Sequence, residues 1–437
     1  MTRSRWLRAA QVGGFYARSY AASKMMKLKM RSRGEQERAE AERKLAEETA
    51  AKATEVFGNM RGVMMKLAQI VSVSGANLPP AAQNSLIALQ ADAPAFPFQA
   101  VREVIRAELG DEPRFIFRKF DETPMAVASI GQVHRAELPS GEKVVVKVQY
   151  PHVDEVILGD LKNLKIFFKL FERQFKGKMD ADAMAEEFGA RIREELDYEN
   201  EARNQRDFAA VFANHPRIRI PAVFDKYSTR RVLTQAFDEG KRFYDFIALD
   251  QNHPRNDAAV LVMNEFVGHS IQIHGLFNAD PHPGNYLFHN DGYVTFLDFG
   301  CVKRWSPETT STFRHFMAGL LQKNDDKMLT ALRKLNVVNG HDAGDYRDFI
   351  EMWKTRSVDV REPGPFHYVP EAFPTDEPDR ALFTNVSLPA DLLYLFRILV
   401  GIGIILVRMR ATMDNWEMNK RWIQEGDRLF GEHAWDS

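Results

Sequence analysis

Residues 277–300 read FNADPHPGNYLFHNDGYVTFLDFG, and the rest of the chain is organised around them. Asp280 stands five residues before Asn285. His289-Asn290-Asp291-Gly292 is a turn signal between two short apolar runs, so a hairpin is expected there. Beyond it come Asp298, Phe299 and Gly300. Phosphates held with Mg²⁺ need hard oxygen ligands, and a side-chain amide and a carboxylate, Asn285 and Asp298, supply them. An acceptor hydroxyl or water needs a nearby carboxylate to take its proton, the role open to Asp280. Taken alone, Asp298-Phe299-Gly300 could equally be a solvated turn. The whole set, at this spacing, points to phosphoryl chemistry.

Working outward, the same chemistry finds its other parts upstream. Lys143 to Gln149 is a Val-rich strand, and Lys147 sits on it. Before it lies an alanine-rich loop, Ala126, Val127, Ala128, Ser129, Ile130 and Gly131, with Gly131 its only glycine. Alanine leaves backbone N–H groups free to meet phosphate oxygens but restricts φ more than glycine does. Residues 180–212 read as a long helix. Glu195 and Asp197 on it are two residues apart, hence about 200° apart on a regular helix, so both cannot face one partner. One is expected to pair with Lys147 and the other to face Lys66. Residues 218–224 and 231–237 read as strands, the second ending at Gln235, Ala236 and Phe237, where backbone groups would meet an adenine. Strand lysine, helix carboxylate, linking strand, Asp/Asn loop and Asp-Phe-Gly, in that order, are the layout of a kinase.

The bulk numbers, 437 residues with 45% of them hydrophobic, suit one large two-lobed domain or two to three smaller domains. A net charge of −1 gives no nucleic-acid footprint. The lone cysteine, Cys301, rules out a disulfide framework and favours a reducing compartment; it reads as a small buried residue. Residues 1–34 carry nine Lys or Arg and no acid, interleaved with aromatics such as Trp6 and Tyr16. That segment suits an anionic membrane surface, an organelle transit peptide or a solvated terminus. Phe57, Met60, Met64, Leu67 and Val71 form one apolar helical stripe, with Lys66 and Gln69 beside it. Near the C-terminus, Leu392 to Val407 is apolar but broken by Arg397 and short for a membrane span, so it reads as a buried helix.

These residues resemble the UbiB family of atypical kinase-like proteins, also called the ADCK group. The resemblance runs from about Gly58 to Arg410. The family's Lys-x-Gly-Gln motif matches Lys66 to Gln69, with Ala68 in place of the usual Gly. Its alanine-rich loop and Ser-Ile-Gly-Gln-Val-His signature match Ala126 to His134, and its nucleotide lysine matches Lys147. Its Glu-x-Asp motif matches Glu195 to Asp197, with Tyr198, Glu201 and Ala202 continuing the pattern. Its Asp-Pro-His-Pro-Gly-Asn loop matches Asp280 to Asn285 unchanged, and Asn278 stands where His is commoner.

The resemblance implies an α+β, protein-kinase-like bilobal fold with a helical extension over the active site. The expected divisions are a basic segment (1–34), the extension (35–111), an N-lobe (112–240) and a C-lobe (241–437). It implies Mg²⁺-dependent binding of ATP or ADP and ATP hydrolysis, with Lys66 and Gln69 pointing into the site and the peptide groove blocked. It implies a role in coenzyme Q or other prenyl-lipid metabolism, in the cytoplasm or at a membrane surface, with lipid-pathway enzymes as partners. The alternatives are a silent nucleotide-binding scaffold and a protein kinase acting in trans.

Overall fold

The computed structural model describes residues 25–26, 96–128, 130–155, 186, 189–190, 192–249, 254–335, 337, 343–369 and 390–436. The expected helices over 35–95, with Lys66 and Gln69, lie outside them, as do most of the basic segment and Ser129. The chain divides into two units: residues 1–200 with 224–236, and residues 201–223 with 237–437.

The first unit is an antiparallel sheet with a helix on it. Helix α1 (Phe98–Leu109) ends at Gly110, whose φ of 90° takes the left-handed cap that glycine tolerates. Pro113 opens the short helix α2 (Pro113–Ile116). Strands β1 (Lys119–Phe120) and β2 (Ala126–Val127) both pair with β3 (Gly131–Glu137). Next to β3 comes β4 (Lys143–Gln149), and then β6 (Val232–Ala236). Strand alternation explains the faces. Val144, Val146 and Val148 are buried with Val101, Val104 and Ile105 of α1, while Lys147 points to the other face.

The expected long helix breaks at Leu196 and Asp197. The Asp197 carboxylate accepts the backbone N–H of Asn200 at 3.0 Å and so caps a new helix, α3 (Tyr198–Val211). Glu195 and Asp197 therefore do not share one regular helix, and the 200° argument does not apply to them.

The second unit is mainly helical. Its sheet runs β5 (Ile218–Arg219), β10 (Val294–Phe296), β9 (Tyr286–Phe288), β7 (Lys241–Arg242), with β5 and β10 parallel. The strand expected over 218–224 stops early; Pro221 has no N–H to donate to a ladder. The hairpin β9–β10 turns at Gly292, φ 85°, as the sequence signal anticipated. A second pair joins β8 (Leu276–Asn278) to β11 (Val302–Arg304), and a third joins β12 (Phe366–His367) to β13 (Thr412–Met413). The helices are α4 (Phe243–Ile247), α5 (Pro254–His274), α6 (Pro307–Leu321), α7 (Asp325–Lys334), α8 (Ala343–Arg356), α9 (Val358–Arg361), α10 (Ala390–Arg408) and α11 (Asn415–Phe430).

An aromatic core fills this unit: Phe266 stacks on Phe296 with centroids 3.7 Å apart, and Phe208 lies 5.2 Å from Phe299. Helix α10 contains the apolar stretch 392–407. Leu395, Ile398, Ile402, Ile405 and Leu406 are buried in the core, while Leu399 and Ile404 are exposed. Among the described residues no helix is long and apolar enough to cross a membrane.

Candidate active site

The second unit fastens two loops together. One runs from β8 to β9 and carries Asp280 and Asn285; the other runs from β10 to β11 and carries Asp298. The ladder of β8 with β11 brings their far ends together at Asn278 and Val302. Four further bonds close the space. Ala279 N–H donates to the Cys301 carbonyl at 2.7 Å, and Leu297 N–H donates to the Asn285 carbonyl at 3.0 Å. The Asn278 side chain completes the join: its Oδ1 accepts the Asp280 N–H at 3.0 Å, and its Nδ2 donates to the Asp298 carbonyl. Asn278 is therefore the clasp between the two loops.

Within each loop the reactive side chains are aimed by local bonds. Asn285 Nδ2 donates to the Asp280 carbonyl at 3.2 Å and approaches its carboxylate at 3.5 Å, which turns Asn285 Oδ1 away from both. His282 N–H donates back to the Asp280 carbonyl at 2.8 Å, and the Gly284 N–H donates to His282 Nδ1 at 3.0 Å. Asp298 Oδ1 accepts the Gly300 N–H at 2.9 Å, fixing the plane of that carboxylate. Tyr286, which follows Asn285 and opens β9, is buried. Burial raises its phenol pKa far above the ordinary value, and the nearby charges of Asp280 and Asp298 raise it further.

Two further polar residues belong to this neighbourhood: Glu201, which the family pattern includes without a role, and Asn204, which lies outside that pattern. Glu201 and Asn204 are buried on α3. Asn204 Nδ2 donates to the Phe299 carbonyl at 2.9 Å and its Oδ1 accepts from Arg304 at 2.8 Å. A Cβ built on Gly300 would lie 3.2 Å from Asp298 Oδ1 and 3.7 Å from Glu201 Oε2, so a buried carboxylate stands beside the Asp298 loop. The signal was present in the spacing. Glu201, Asn204, Gln205, Phe208 and Phe212 recur at helical steps and are all buried, so the polar stripe continues the apolar one.

In the first unit, Lys147 lies on β4 between Val133 of β3 and Leu233 of β6. Its ammonium stands 4.9 Å from the centroid of the Tyr198 ring. Asp197 caps α3, as described, and Glu195 is half-buried just before the helix break. The alanine-rich loop is a tight hairpin: Ala126 and Val127 pair with Val133 and Gln132, and the Ala128 N–H donates to the Gly131 carbonyl at 2.8 Å. Ile130 is buried, and its carbonyl accepts the Tyr150 N–H at 2.9 Å.

Gly131 is not at the tip of a flexible loop but is the first residue of β3. A Cβ there would meet the Val148 carbonyl at 2.4 Å and the Tyr198 hydroxyl at 3.0 Å, so packing demands the glycine. Gln132 is likewise structural. It bonds both backbone groups of Phe96, N–H at 3.0 Å and carbonyl at 3.4 Å, and donates to His134 Nε2 at 3.0 Å. Gln235 is buried in β6 opposite Val145, its Oε1 without a hydrogen-bond donor; Phe237 begins the second unit, half-buried.

The donor set suits one kind of metal. Among the described residues no three His, Cys, Asp or Glu side chains form a metal cluster. A carboxylate and an amide oxygen on two clasped loops instead match Mg²⁺, which binds through one or two carboxylates and takes its other ligands from water and substrate phosphates.

An antiparallel sheet bearing a strand lysine, followed in sequence by a helical unit with clasped Asp/Asn and Asp-Phe-Gly loops, defines a kinase-like protein. The chain belongs to the ABC1 atypical kinase-like family, whose domain matches residues 88–332. A chloroplastic protein of Arabidopsis thaliana, ACTIVITY OF BC1 COMPLEX KINASE 8, is 33% identical over 280 residues, 63% of this chain and 37% of its own. AarF domain-containing protein kinase 1 of Xenopus tropicalis is 33% identical over 227 residues, 52% of this chain and 43% of its own. The chain thus spans well under half the length of these curated relatives. A solved structure, that of Rv3197 from Mycobacterium tuberculosis in complex with erythromycin, has a TM-score of 0.63 and 29% identity, covering 87% of this chain and 97% of the other.

Proposed function

We propose that this chain binds Mg²⁺ with ATP or ADP and hydrolyses ATP as an atypical kinase-like enzyme. The observation that carries the reading is the Asn278 clasp, which ties the Asp280 backbone to that of Asp298 and so holds both loops in register. Asn285 and Asp298 would hold the Mg²⁺, which supplies charge neutralisation at the phosphates. Lys147 contacts the α- and β-phosphates, and the Ala126–Gly131 hairpin covers the nucleotide. Asp280 orients the attacking water or hydroxyl and accepts its proton. Glu201, buried beside Gly300, adds negative charge next to Asp298.

The physiological setting that suits the family resemblance is prenyl-lipid metabolism at a membrane surface. The basic leader of nine Lys or Arg without an acid supports the surface part of that reading. Titration calorimetry with ATP, with and without Mg²⁺, tests the site. Asp298→Asn should abolish the Mg²⁺-dependent part of nucleotide binding, and unchanged affinity would overturn the assignment. Asp280→Asn should keep binding and lose phosphate release on vesicles of anionic lipid. If the parent chain binds Mg-ATP and releases no phosphate, it is the silent scaffold instead.

A further inference from the structure

We propose that Tyr198 is the positioning residue for Lys147, holding the lysine ammonium on its ring face; this deepens, and rests on, the nucleotide reading above. The Lys147 ammonium lies 4.9 Å from the ring centroid, within the range of a cation–π contact. The ring itself has little freedom. Tyr198 is only 1% exposed, and it opens α3 immediately after the Asp197 cap. Its backbone N–H donates to the Arg230 carbonyl at 3.0 Å. At the far end of the ring, the hydroxyl lies 3.0 Å from the place a Cβ on Gly131 would take. Since Gly131 pairs with Gln149, and Lys147 with Val133, the ring reaches from the lysine on β4 to the base of the β2–β3 hairpin.

This arrangement does something a carboxylate partner alone does not. An aromatic face attracts an ammonium without neutralising it, so it orients the lysine while the full positive charge is kept. The same ring reaches the hairpin expected to cover the nucleotide, its edge lying beside the place a Cβ on Gly131 would take. Tyr198 thus couples two parts of the phosphate-binding machinery within one unit. A plain packing residue would need the ring's volume but not its charge distribution, and that difference can be measured.

The test keeps the shape and changes the ring electronics. Tyr198→Phe and Tyr198→3,4,5-trifluorophenylalanine are prepared in the full chain, with Tyr198→Leu as a third variant. Mg-ATP affinity is measured by calorimetry. Acetylation of Lys147 in the absence of nucleotide is followed by peptide mass spectrometry across pH. Tyr198→Phe should bind within about 2-fold of the parent, while the trifluoro variant should bind about 2- to 30-fold more weakly, the range for losing a cation–π contact. The pH midpoint of Lys147 acetylation should fall in the trifluoro and Leu variants and stay with the parent in Tyr198→Phe. Equal affinities and equal midpoints for the Phe and trifluoro variants would overturn the proposal. If the parent chain binds no Mg-ATP, the nucleotide reading fails, but the acetylation midpoints still decide whether the ring holds the lysine.

Discussion

The clasp made by Asn278 offers the sharpest test of how the second unit is built. Asn278→Ala removes the acceptor of the Asp280 N–H and the donor to the Asp298 carbonyl. An orphaned buried polar group costs about 1–3 kcal/mol, and water reaches these half-buried loops in part, so the pair should lose about 2–4 kcal/mol. For a domain of 150–250 residues that is a fall in Tm of about 4–16 °C. The assay can be made specific to this unit: five of the six tryptophans, Trp305, Trp353, Trp416, Trp422 and Trp435, belong to it, so with Trp6→Phe as background tryptophan emission during urea unfolding reports its stability. Asn278→His supplies the control. A neutral imidazole has one donor and one acceptor and can serve both loops, so it should recover most of the loss. Mg-ATP affinity should fall in the Ala variant and recover in the His variant. An Ala variant within about 0.5 kcal/mol of the parent, the ordinary range for a neutral surface change, would refute the clasp.

Two further variants probe the same unit. Gly268→Ala would put a Cβ 2.1 Å from Cζ3 of the buried Trp422, so overpacking of about 1–3 kcal/mol should exceed the propensity gain of about 1 kcal/mol, read as a net loss in urea unfolding. Asp238 lies beside His289 and Thr295, the latter donating to it at 2.7 Å. Burial pushes its carboxyl up, but these bonds, the His289 charge and the Gly240 N–H outweigh burial and hold it at about 2. Its folded pKa is below the unfolded value near 4, so about 2 kcal/mol of stability is complete above that pH and lost as pH falls towards 2. Asp238→Asn should remove that acid-dependent loss, measured as the difference in unfolding free energy between pH 6 and pH 3.

The parts legible in the sequence were those whose chemistry is local. The Asp280–Asn285 spacing, the glycine turn at 292 and the Val-rich strand of Lys147 each declare themselves within a few residues. What escaped was decided by contacts made at a distance. Asp197 sits in a charge run where a carboxylate reads as solvated, yet its neighbours make it the cap that ends one helix and starts another. Glu201 and Asn204 lie in so polar a stretch that composition argues for exposure, and only their step with Phe208 and Phe212 betrays a buried face. Gly131 looked like the lone flexible residue of a phosphate loop. In the strand it answers to the Val148 carbonyl and the Tyr198 hydroxyl, neither of which is near it in sequence.

A common design runs through these surprises. The residues expected to meet phosphate or metal are few, and several are held by neighbours with no reactive role of their own. Asn278 holds the backbone on both sides of the acid pair, Asn204 holds the Phe299 carbonyl, and Tyr198 holds Lys147. Each of these contacts lies inside one unit. Damage to a holding residue should therefore lower nucleotide affinity without altering which residues react. Damage to Asp280 should do the reverse, sparing affinity and removing turnover. That separation distinguishes a built active site from charged loops that happen to lie side by side.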